Sequence, residues 1–457
     1  MNSKTVHIES FGCQMNKLDS AMVTAALKED GFMLIDSAAD ADVVLINTCS
    51  VREHAERKVL SHLGNLKHIK QSGRGEMVVA VIGCMAQRMG AELLEHEAVN
   101  IVCGPAQIPQ VVTFINDTIR EKKKVLAVTE DIRRGDGANR ALENFESVYD
   151  SDDKTVPNQA FVRVMRGCNN FCSYCIVPYV RGPEVSRPPH VVIEQIKRLA
   201  AEGIKQVTLL GQAVNLYQYE NAGLADLLEM ASDIDGIEWI RFVTSYPAKK
   251  GYRRLLEAMA DLPKVCGYLH MPAQSGSDRI LKAMNRKYTA QEYIEMVEMA
   301  RQIVPRIAIA GDFIVGFPGE TDEDFQQSVS LVQQIRYKNC FVFKYSPRAG
   351  TRADDKLADS VSLEVKKQRN IELLRVQEKI SGQLSAGYMG QKVRVLVEGL
   401  SKKPHLNAEE SEGCPQLVAR TAEDMIVVFN GSPELAGQFT DVEIEKTSPL
   451  TLFGKLI

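Results

Sequence analysis

Residues 167–175 read Gly-Cys-Asn-Asn-Phe-Cys-Ser-Tyr-Cys and place Cys168, Cys172 and Cys175 at C-x3-C-x2-C spacing. Iron–sulfur cubanes normally take four cysteine ligands, so three thiolates leave one iron with an open coordination position. A structural zinc site is the alternative, but it needs a fourth nearby ligand and a second C-x2-C pair. His190 is the nearest downstream histidine, and no second C-x2-C pair occurs. The stretch therefore predicts a cluster that binds a substrate or cofactor directly.

These cysteines directly follow a predicted strand, Phe161 to Met165, which opens a series of six strands separated by helical patterns. The other five are Gln206 to Leu210, Trp239 to Val243, Cys266 to Leu269, Ile307 to Val315 and Phe341 to Phe343. Six βα units predict a partial barrel, and the chemistry of such barrels lies at the carboxyl ends of the strands. The position of the cysteine stretch agrees with that rule.

An earlier set of apolar runs alternates with amphipathic stretches and predicts a doubly wound parallel sheet. The runs are Val6 to Phe11, Val43 to Ile46, Val78 to Ile82 and Val99 to Val102. Cys13, Cys49 and Cys84 follow the first three runs. Because ligands bind beyond the carboxyl ends of such strands, these cysteines form a second predicted trio. The alternative is three small buried side chains, and Cys103, after the fourth run, stays open as a ligand.

Beyond a predicted helix from Val361 to Leu384, short alternating runs predict a small antiparallel β-barrel. The runs are Val393 to Val397, Gln416 to Ala419, Met425 to Phe429, Val442 to Ile444 and Leu452 to Ile457. The expected fold class is therefore α/β. Its parts are an N-terminal doubly wound domain (1–129), a linker (130–157), a central partial (β/α)6 barrel (158–387) and a C-terminal barrel (388–457).

The overall composition is that of a globular protein, with 457 residues, 45% hydrophobic and 25% charged. That length predicts two or three domains. No apolar run approaches the roughly 20 residues of a membrane-spanning helix, and the start lacks a signal-peptide pattern. Ten cysteines without export indicate a reducing compartment, so we expect a cytoplasmic protein.

The net charge of −4 argues against a generic nucleic-acid-binding protein, because phosphate contacts need clustered cations. Local basic patches remain candidates for RNA contact, and solvated helix faces are the alternative. The candidates are Lys249, Lys250, Arg253 and Arg254, and the run 366–369.

A string of motifs resembles the methylthiotransferases, a family of radical S-adenosylmethionine (SAM) enzymes. The motifs are 11–16 (FGCQMN), 47–53 (NTCSVRE), 83–87 (GCMAQ), 172–182 (CSYCIVPYVRG), 269–277 (LHMPAQSGS) and 314–321 (IVGFPGET). Residues 14–16 and 51–53 resemble the branch that modifies isopentenyladenosine of tRNA. They match less well the branches that act on a ribosomal-protein aspartate or on threonylcarbamoyl-adenosine. The final barrel resembles a TRAM domain, an RNA-binding module.

This resemblance implies two [4Fe-4S] clusters. Cys168, Cys172 and Cys175 would hold the cluster that splits SAM into methionine and a 5′-deoxyadenosyl radical. The Cys13, Cys49 and Cys84 trio would hold an auxiliary cluster that carries the donated sulfur. The radical would remove hydrogen at C2 of N6-isopentenyladenosine at position 37 of tRNA, and a methylthio group would replace it. An unactivated C–H bond has no acidic proton, so acid–base devices cannot reach it and a cofactor must.

The remaining site residues are predicted from their places near strand ends or near the cysteine stretch. SAM contacts are expected from Tyr174, Ser245, Gln274 and Asp312, with packing or turn roles as the alternative. Arg181 and Arg187 are candidates for a phosphate or a SAM carboxylate, with a surface ion pair as the alternative. Cys103, Cys266, Cys340 and Cys414 are predicted to be structural.

The resemblance also implies partners: the tRNA anticodon stem-loop, an electron donor such as a flavodoxin or ferredoxin, and a sulfur source. No membrane partner is expected, and the chain is expected to be a monomer. One departure is that residues 388–457 hold seven Lys and Arg against ten Asp and Glu, so the final barrel is not basic. The alternatives are methylthiolation of a ribosomal-protein aspartate or of another modified tRNA adenosine, and a non-catalytic iron–sulfur RNA-binding protein.

Overall fold

The computed structural model describes residues 4–50, 53–73, 76–129, 145, 156–402 and 414–457. The chain forms two compact units. The first unit comprises Met1–Asp153, Met165–Arg187 and Arg348–Thr351, and the second comprises Lys154–Val164, Pro188–Pro347 and Arg352–Ile457. All six predicted cluster cysteines therefore belong to the first unit.

The strands in chain order are β1 Thr5–Ser10, β2 Met33–Leu34, β3 Val43–Thr48, β4 Val78–Gly83, β5 Ile101–Cys103, β6 Val125–Ala127, β7 Gln159–Arg163, β8 Met165–Arg166, β9 Val185–Ser186, β10 Gln206–Leu210, β11 Gln218–Tyr219, β12 Ala222–Gly223, β13 Trp239–Val243, β14 Tyr268–His270, β15 Ala308–Val315, β16 Asn339–Lys344, β17 Lys392–Leu400, β18 Gln416–Arg420, β19 Ile426–Asn430, β20 Phe439–Thr447 and β21 Thr451–Leu456.

The α-helices are α1 Gln14–Glu29, α2 Glu53–Gln71, α3 Cys84–Met89, α4 Ala91–Glu95, α5 Val111–Glu121, α6 Val177–Val180, α7 Pro189–Ala201, α8 Leu224–Ser232, α9 Tyr252–Asp261, α10 Asp278–Ala283, α11 Ala290–Ile303, α12 Asp322–Ile335, α13 Arg352–Lys356 and α14 Leu363–Ala386. Short 3-10 helices span Pro105–Gln110, Val214–Leu216 and Pro433–Leu435.

The first unit is built on a sheet of order β2-β1-β3-β4-β5-β6. Every neighbouring pair in it runs parallel. Because side chains alternate along a strand, Val44 of β3 packs with helix α2, whereas Val43 packs with α1 and α5. Helices thus cover both faces, which confirms the doubly wound parallel sheet. The order reverses between β1 and β3, and ligands bind at such a switch point.

A separate segment of the first unit carries the C-x3-C-x2-C stretch. Strands β8 and β9 pair antiparallel, with Met165 opposite Ser186 and Arg166 opposite Val185. This short hairpin closes the loop at its base, and helix α6 begins two residues after Cys175.

The second unit holds six parallel strands in two sheets, β7-β10-β13 and β14-β15-β16. A parallel bridge between Ile240 and Val265 connects β13 to the segment that leads into β14. The six strands are those that the sequence predicts, with ends shifted by no more than two residues. The partial (β/α)6 barrel is therefore confirmed.

Strands β17 to β21 of the second unit form a closed barrel of order β17-β18-β19-β21-β20. Four neighbouring pairs are antiparallel, but β19 and β21 run parallel. The prediction of a barrel is confirmed, and its purely antiparallel character is corrected. The reason is topological: directions cannot alternate around a closed ring with an odd number of strands, so one pair must be parallel.

Other sequence predictions lie at or beyond the edge of the described residues. The linker 130–157 is described only at Phe145 and at residues 156–157, and Val51 and Arg52 of the 47–53 motif lie outside the described part. The division into three domains at 129, 157 and 387 stays a prediction. None of the described helices combines the length and apolarity that crossing a membrane requires.

Candidate iron–sulfur site

Two cysteines meet at the switch point of the first-unit sheet. Cys13 follows β1 and precedes α1, and Cys49 directly follows β3. The side chain of Cys49 hydrogen-bonds to the sulfur of Cys13, and this bond, helped by the charge of Arg181 and opposed by burial, lowers the pKa of Cys13 to about 6. A cysteine with that pKa is a thiolate at neutral pH, which is the form that binds metals.

A buried pair of amides holds these two strand ends together. Asn16 Nδ2 donates to Asn47 Oδ1 (2.8 Å) and to the carbonyl oxygen of Thr48 (2.7 Å). Asn47 Nδ2 donates in return to the carbonyl oxygen of Asn16 (2.8 Å) and to Ser20 Oγ (3.0 Å). Asn16 and Asn47 are both fully buried. Because a buried amide without partners is costly, this mutual pairing fixes the spacing of the loops that carry Cys13 and Cys49.

Cys84 is placed by the end of the neighbouring strand. Gly83 ends β4 with a φ of 96°, and a Cβ there would lie 2.6 Å from the Thr48 carbonyl oxygen. Only glycine allows this approach, and it turns the chain so that Cys84 begins α3 beside the β3 end. Cys84 is buried, and burial raises its thiol pKa. A buried thiolate at this position therefore needs a positive partner.

Arg181 is that partner. Its Nε donates to Cys84 Sγ (3.1 Å), and its Nη2 donates to Asp19 Oδ2 (2.9 Å). The side chains of Arg181 and Asp19 are only 5% and 1% exposed. Burial opposes the charged form of Arg181, but the negative charges of Cys84, Asp19 and Cys13 raise its pKa well above the usual value. The predicted contact of Arg181 with phosphate or a SAM carboxylate stays a prediction, and the structure places this side chain in a buried ion pair.

The C-x3-C-x2-C trio lies in one loop with short-range bonds. The Cys168 amide donates to the Gly182 carbonyl oxygen (3.1 Å), and the Cys175 amide donates to the Cys172 carbonyl oxygen (2.9 Å). Asn170 Nδ2 lies 3.5 Å from Cys168 Sγ. Burial raises the pKa of Cys168. The loop thus brings all three thiols to one short turn before any ligand is added.

One cysteine of the sheet trio meets the segment that follows the loop trio within the first unit. Cys84 packs in one apolar cluster with Ile176, Val180 and Tyr179. Ile176 directly follows Cys175, so the third cysteine of the sheet trio contacts the segment that leaves the loop trio. This neighbourhood is the arrangement that the two-cluster prediction requires.

The donor set fits iron–sulfur clusters. In the described part of the chain, no group of three or more His, Cys, Asp or Glu side chains is arranged as a site for a metal ion. A single zinc ion would need its donors about 2.0–2.3 Å from one point, whereas cluster cysteines bind different irons and lie farther apart. Each trio offers only sulfur donors, and Arg181 offsets the thiolate charge of the sheet trio.

Three of the predicted SAM contacts lie in the second unit: Ser245 follows the end of β13, Gln274 follows the end of β14, and Asp312 lies on β15. The Ser245 amide donates to the His270 carbonyl oxygen (2.9 Å), and the Gln274 amide donates to the Asp312 carbonyl oxygen (2.7 Å). Asp312 Oδ1 also pairs with His270 Nε2 at 3.0 Å. Thr244, next to Ser245, and Gln274 have φ of 69° and 70°. Such backbone strain in non-glycine residues concentrates at binding and catalytic sites.

Two of these residues carry polar atoms that are not satisfied. Ser245 Oγ and Gln274 Oε1 are buried and have no hydrogen-bond partner among the described residues. Buried polar atoms are nearly always bonded, so such atoms indicate room for a polar ligand. Tyr174, the fourth predicted contact, is half-buried in the cysteine loop of the first unit.

The predicted RNA contacts differ in their surroundings. Lys249 and Arg254 are exposed but pair with carboxylates, Lys249 Nζ with Glu292 Oε1 at 2.8 Å and Arg254 Nη2 with Asp226 Oδ1 at 2.5 Å. Arg253 Nη1 lies 3.7 Å from an oxygen of Glu257, one helical turn away. The last two predicted cations are Lys250, which is exposed, and Arg187, which is buried. A role of these residues in RNA binding stays a prediction.

The four cysteines outside the two trios differ in burial. Cys103, Cys266 and Cys340 are buried, and Cys414 is exposed. Burial raises the pKa of Cys266 to about 11 and that of Cys103 further still. Cys103 Sγ donates to the carbonyl oxygen of the neighbouring Gly104 (3.5 Å). Their structural role stays a prediction, and Cys103 provides a matched control for the trios.

Sequence reasoning did not assign roles to several residues of this site. Asn16 and Asn47 belong to the 11–16 and 47–53 motifs. Their positions near Cys13 and Cys49 are a sequence signal for a role at this site. Asp19 follows Asn16 by three residues on α1, which puts both on one helix face. A buried carboxylate on that face predicts a cationic partner but cannot identify Arg181, which lies 162 residues away.

Three family models match the chain. They are described as the Radical SAM superfamily (residues 162–332), the uncharacterised protein family UPF0004 (residues 5–104) and the TRAM domain (residues 387–457). The Radical SAM match implies a [4Fe-4S] cluster and SAM as cofactors. The TRAM match implies RNA binding.

Curated relatives match over nearly the full length. A tRNA-2-methylthio-N(6)-dimethylallyladenosine synthase of Rhodopirellula baltica is 44% identical, covering 99% of this chain and 96% of the relative. A protein with the same name from Syntrophotalea carbinolica is 39% identical, covering 96% of this chain and 97% of the relative.

Solved structures support the fold alone, because their identity to this chain is low. The radical SAM methyltransferase TsrM of Kitasatospora setae, solved with cobalamin and a [4Fe-4S] cluster, matches with a TM-score of 0.57 at 16% identity. The match covers 77% of this chain and 74% of TsrM. A second TsrM structure, with tryptophan and a SAM analogue, gives a TM-score of 0.54, covering 75% of this chain and 73% of that chain.

Full-length identity of about two-fifths to named enzymes is far above what a shared fold alone produces, and the cysteine motifs lie where the fold brings them together. The chain is an enzyme of the transferase class. It belongs to the family of tRNA-2-methylthio-N6-dimethylallyladenosine synthases, which are radical SAM methylthiotransferases.

Proposed function

We propose that this enzyme adds a methylthio group to C2 of N6-isopentenyladenosine at position 37 of tRNA, using two [4Fe-4S] clusters. The observation that carries the proposal is the neighbourhood of the two trios in the first unit, where Cys84 packs against the residue that follows Cys175. A radical enzyme that both cleaves SAM and donates sulfur needs its two cofactors close together, because the radical must be used where it forms.

The chain's own residues divide into two sets of ligands. Cys168, Cys172 and Cys175 hold the cluster that cleaves SAM, and Cys13, Cys49 and Cys84 hold the auxiliary cluster. When bound, these groups supply the radical that removes hydrogen and the sulfur that replaces it. Each trio leaves one coordination position of its cluster to a non-protein ligand.

SAM recognition is assigned to Tyr174, Ser245, Gln274 and Asp312. The unpartnered Ser245 Oγ and Gln274 Oε1 supply a donor and an acceptor for the polar groups of SAM. The Asp312 carboxylate accepts a hydrogen bond from His270 or from a ribose hydroxyl, since a carboxylate has room for several donors. The positive φ of Gln274 and the burial of Ser245 and Gln274 support a binding role over a purely structural one.

The proposed partner is the anticodon stem-loop of tRNA. Bases of a loop can be splayed out of the stack, so an enzyme can extrude the target nucleotide into its site. Lys250 is an exposed cation without an ion pair among the described residues, and Lys249, Arg253 and Arg254 would exchange their carboxylate partners for phosphate. Arg187, whose side chain is buried, is a further proposed contact for SAM or phosphate.

The proposal also includes an electron donor such as a flavodoxin or ferredoxin, a sulfur source, a monomeric state and a cytoplasmic location. The three-domain division at residues 129, 157 and 387 is part of it, with the TRAM-like barrel as an accessory RNA contact. The same site chemistry would serve another modified tRNA adenosine or a ribosomal-protein aspartate. Identification of the modified product separates these substrates.

The first experiment tests the two trios by reconstitution under anaerobic conditions. We expect about eight irons per chain for the unaltered enzyme and about four for a variant that lacks either trio. Cys13→Ala should abolish methylthiolation while 5′-deoxyadenosine still forms from SAM, whereas Cys168→Ala should abolish both. Cys103→Ala, a buried cysteine of the same unit, is the matched control and should change neither. Methylthio product from the Cys13 variant contradicts the auxiliary assignment.

The second experiment identifies the substrate. Cells that lack this chain should lose 2-methylthio-N6-isopentenyladenosine from their tRNA nucleosides, as measured by mass spectrometry, and the gene should restore it. Retention of this nucleoside together with loss of a methylthio-aspartate in a ribosomal protein would transfer the assignment to the alternative. Absence of 5′-deoxyadenosine from the reduced, SAM-treated enzyme would favour a non-catalytic role.

A further inference from the structure

The pair formed by Arg181 and Asp19 is unusual in its position. Asp19 lies on α1, which follows Cys13, and Arg181 caps helix α6, which follows Cys175. Their ion pair (2.9 Å) therefore ties the segment that leaves one trio to the segment that leaves the other. The same guanidinium donates to Cys84 Sγ at 3.1 Å. One side chain thus contacts a ligand of the sheet trio while its backbone belongs to the segment of the loop trio.

Burying this ion pair costs stability, so we expect the charge to have a further use. Removing two charges from water costs several kcal/mol for each ion, and an apolar pair of similar volume is often as stable. Lysine could not replace the arginine without loss, because only the planar fork donates in two fixed directions at once. The guanidinium donates to a sulfur as well as to a carboxylate. The need to hold the sulfur of Cys84 therefore explains why arginine occupies this position.

We propose that Arg181, held in place by Asp19, is a positioning residue that fixes Cys84 against the loop trio and sets the charge environment of the auxiliary cluster. The inference rests on the proposed function, because it takes Cys84 as a ligand of that cluster. Arg181 touches a ligand rather than a substrate, so it acts on the reaction through the cluster.

The two members of the pair should shift the cluster potential in opposite directions. A nearby positive charge favours the reduced, more negative form of a cluster, whereas a negative charge favours the oxidised form. Arg181→Met removes the positive charge and should shift the auxiliary potential to more negative values. Asp19→Asn removes the compensating negative charge and should shift it to more positive values. Arg181→Lys keeps the charge but not the fork, so it should give a smaller shift than Arg181→Met.

The second unit offers a matched control. Arg369 Nη1 pairs with Glu320 Oε2 at 2.7 Å, with side chains 7% and 1% exposed. This pair matches Arg181–Asp19 in length and burial but contains no cysteine contact among the described residues. Arg369→Met and Glu320→Gln should therefore lower stability without moving either cluster potential.

The experiment uses the full, reconstituted enzyme. Iron and sulfide are counted, and the midpoint potentials of both clusters are followed by EPR during a redox titration. We expect the potential of the auxiliary cluster to shift in opposite directions in the Arg181→Met and Asp19→Asn variants. The SAM-cleaving cluster should shift less, and neither cluster should shift in the controls. Loss of about half the iron from Arg181→Met alone also supports the proposal, since it shows a failure to hold Cys84.

Two results would overturn the inference. One is a full iron content with unchanged potentials in all three variants, and the other is an equal shift in the Arg369 and Glu320 controls. If Arg181→Met fails to fold, the Asp19→Asn and Arg181→Lys variants decide. An unaltered enzyme that binds only one cluster would contradict the proposed function instead, and the two failures are therefore distinguishable.

Discussion

The two cysteine trios of the first unit are built in opposite ways. Cys168, Cys172 and Cys175 come from eight consecutive residues and are gathered by one loop, whereas Cys13, Cys49 and Cys84 come from three strand ends spread over 72 residues. The first trio is a local feature that any chain with this motif would carry. The second exists only when the sheet is assembled. Damage to the sheet should therefore affect one cluster and leave the other.

The bonds that hold each trio follow the same division. The loop trio depends on its β8–β9 base and on the bond from Cys168 to Gly182 (3.1 Å). The sheet trio depends on long-range bonds, such as those between Asn16 and Asn47, 31 residues apart. Four substitutions test whether this difference in origin leads to a difference in behaviour.

The largest effect is expected from Gly167→Ala at the base of the loop. Gly167 has a φ of 70°, and a Cβ there would lie 1.8 Å from the Pro183 carbonyl oxygen, so the backbone must move. We expect loss of the SAM-cleaving cluster and about 4 kcal/mol of unfolding free energy. Urea unfolding and 5′-deoxyadenosine assays measure these effects. Iron bound by the sheet trio should fall less, because Arg181 joins that trio to the displaced segment, and equal loss from both trios would contradict their separation.

Gly83→Ala should break the sheet trio in the complementary way. The added Cβ would lie 2.6 Å from the Thr48 carbonyl oxygen and would separate the ends of β3 and β4. We expect a cost of about 3 kcal/mol and loss of about half the iron, with SAM cleavage retained. Gly31→Ala is the control, because Gly31 also has a positive φ of 87° but no atom within 4 Å of its Cβ position. Equal iron loss in both variants would attribute the effect to backbone strain alone.

Asn16→Ala should loosen the sheet trio by a smaller amount. It removes the Asn16 Nδ2 donor from two buried acceptors, Asn47 Oδ1 and the Thr48 carbonyl oxygen, which costs about 2 kcal/mol in unfolding free energy. We expect weaker iron retention on dilution with a chelator, measured against the unaltered enzyme. Asn116→Ala is a suitable control, since Asn116 makes one exposed bond to Asp30 Oδ2 at 2.7 Å. An effect of Asn116→Ala as large as that of Asn16→Ala would contradict the prediction.

The smallest effect is expected from Phe171→Asn in the loop. Phe171 is 36% exposed, has a φ of 47° and meets the Tyr179 ring edge-on at 6.1 Å. Asparagine adopts this φ more readily than phenylalanine, and this gain offsets the lost ring contact, so stability should change by less than about 1 kcal/mol. Both clusters should persist in iron analysis. Collapse of the loop would show that it depends on packing more than on local bonds.

Much of the fold could be predicted because its signals are local. Buried parallel strands have long apolar runs, so β3, β4 and the six barrel strands stood out, and Gln206–Leu210 and Trp239–Val243 have the predicted ends. The parallel pair β19–β21 was missed because strand direction is set by how a barrel closes, not by any one strand. The loop trio was predicted from its C-x3-C-x2-C spacing, and the sheet trio was predicted because the strand-end rule turns sequence position into spatial position.

Other site residues could not be placed in this way. In the sequence, Arg181 is a cation that follows the cysteine motif. Only the packing of α1 against the segment that contains Arg181 shows that its side chain is buried in contact with Asp19 and Cys84. The sequence likewise does not show that Lys250 is exposed or that Lys249 pairs with Glu292, 43 residues away. The sequence gives the charge of each side chain, but the ion-pair partner and the burial of that side chain depend on contacts between distant segments.

The sequence by itself therefore determined the class of fold and the two sets of three cysteines, because apolar periodicity and cysteine spacing act over a few residues. Tertiary structure alone decided that Cys13 and Cys49 share a hydrogen bond and that Asn16 and Asn47 join their strand ends. It alone also decided that the guanidinium of Arg181, from the segment after the loop trio, contacts Cys84. These are contacts between residues far apart in the chain. Only the packing of the sheet and its helices brings their atoms within bonding distance.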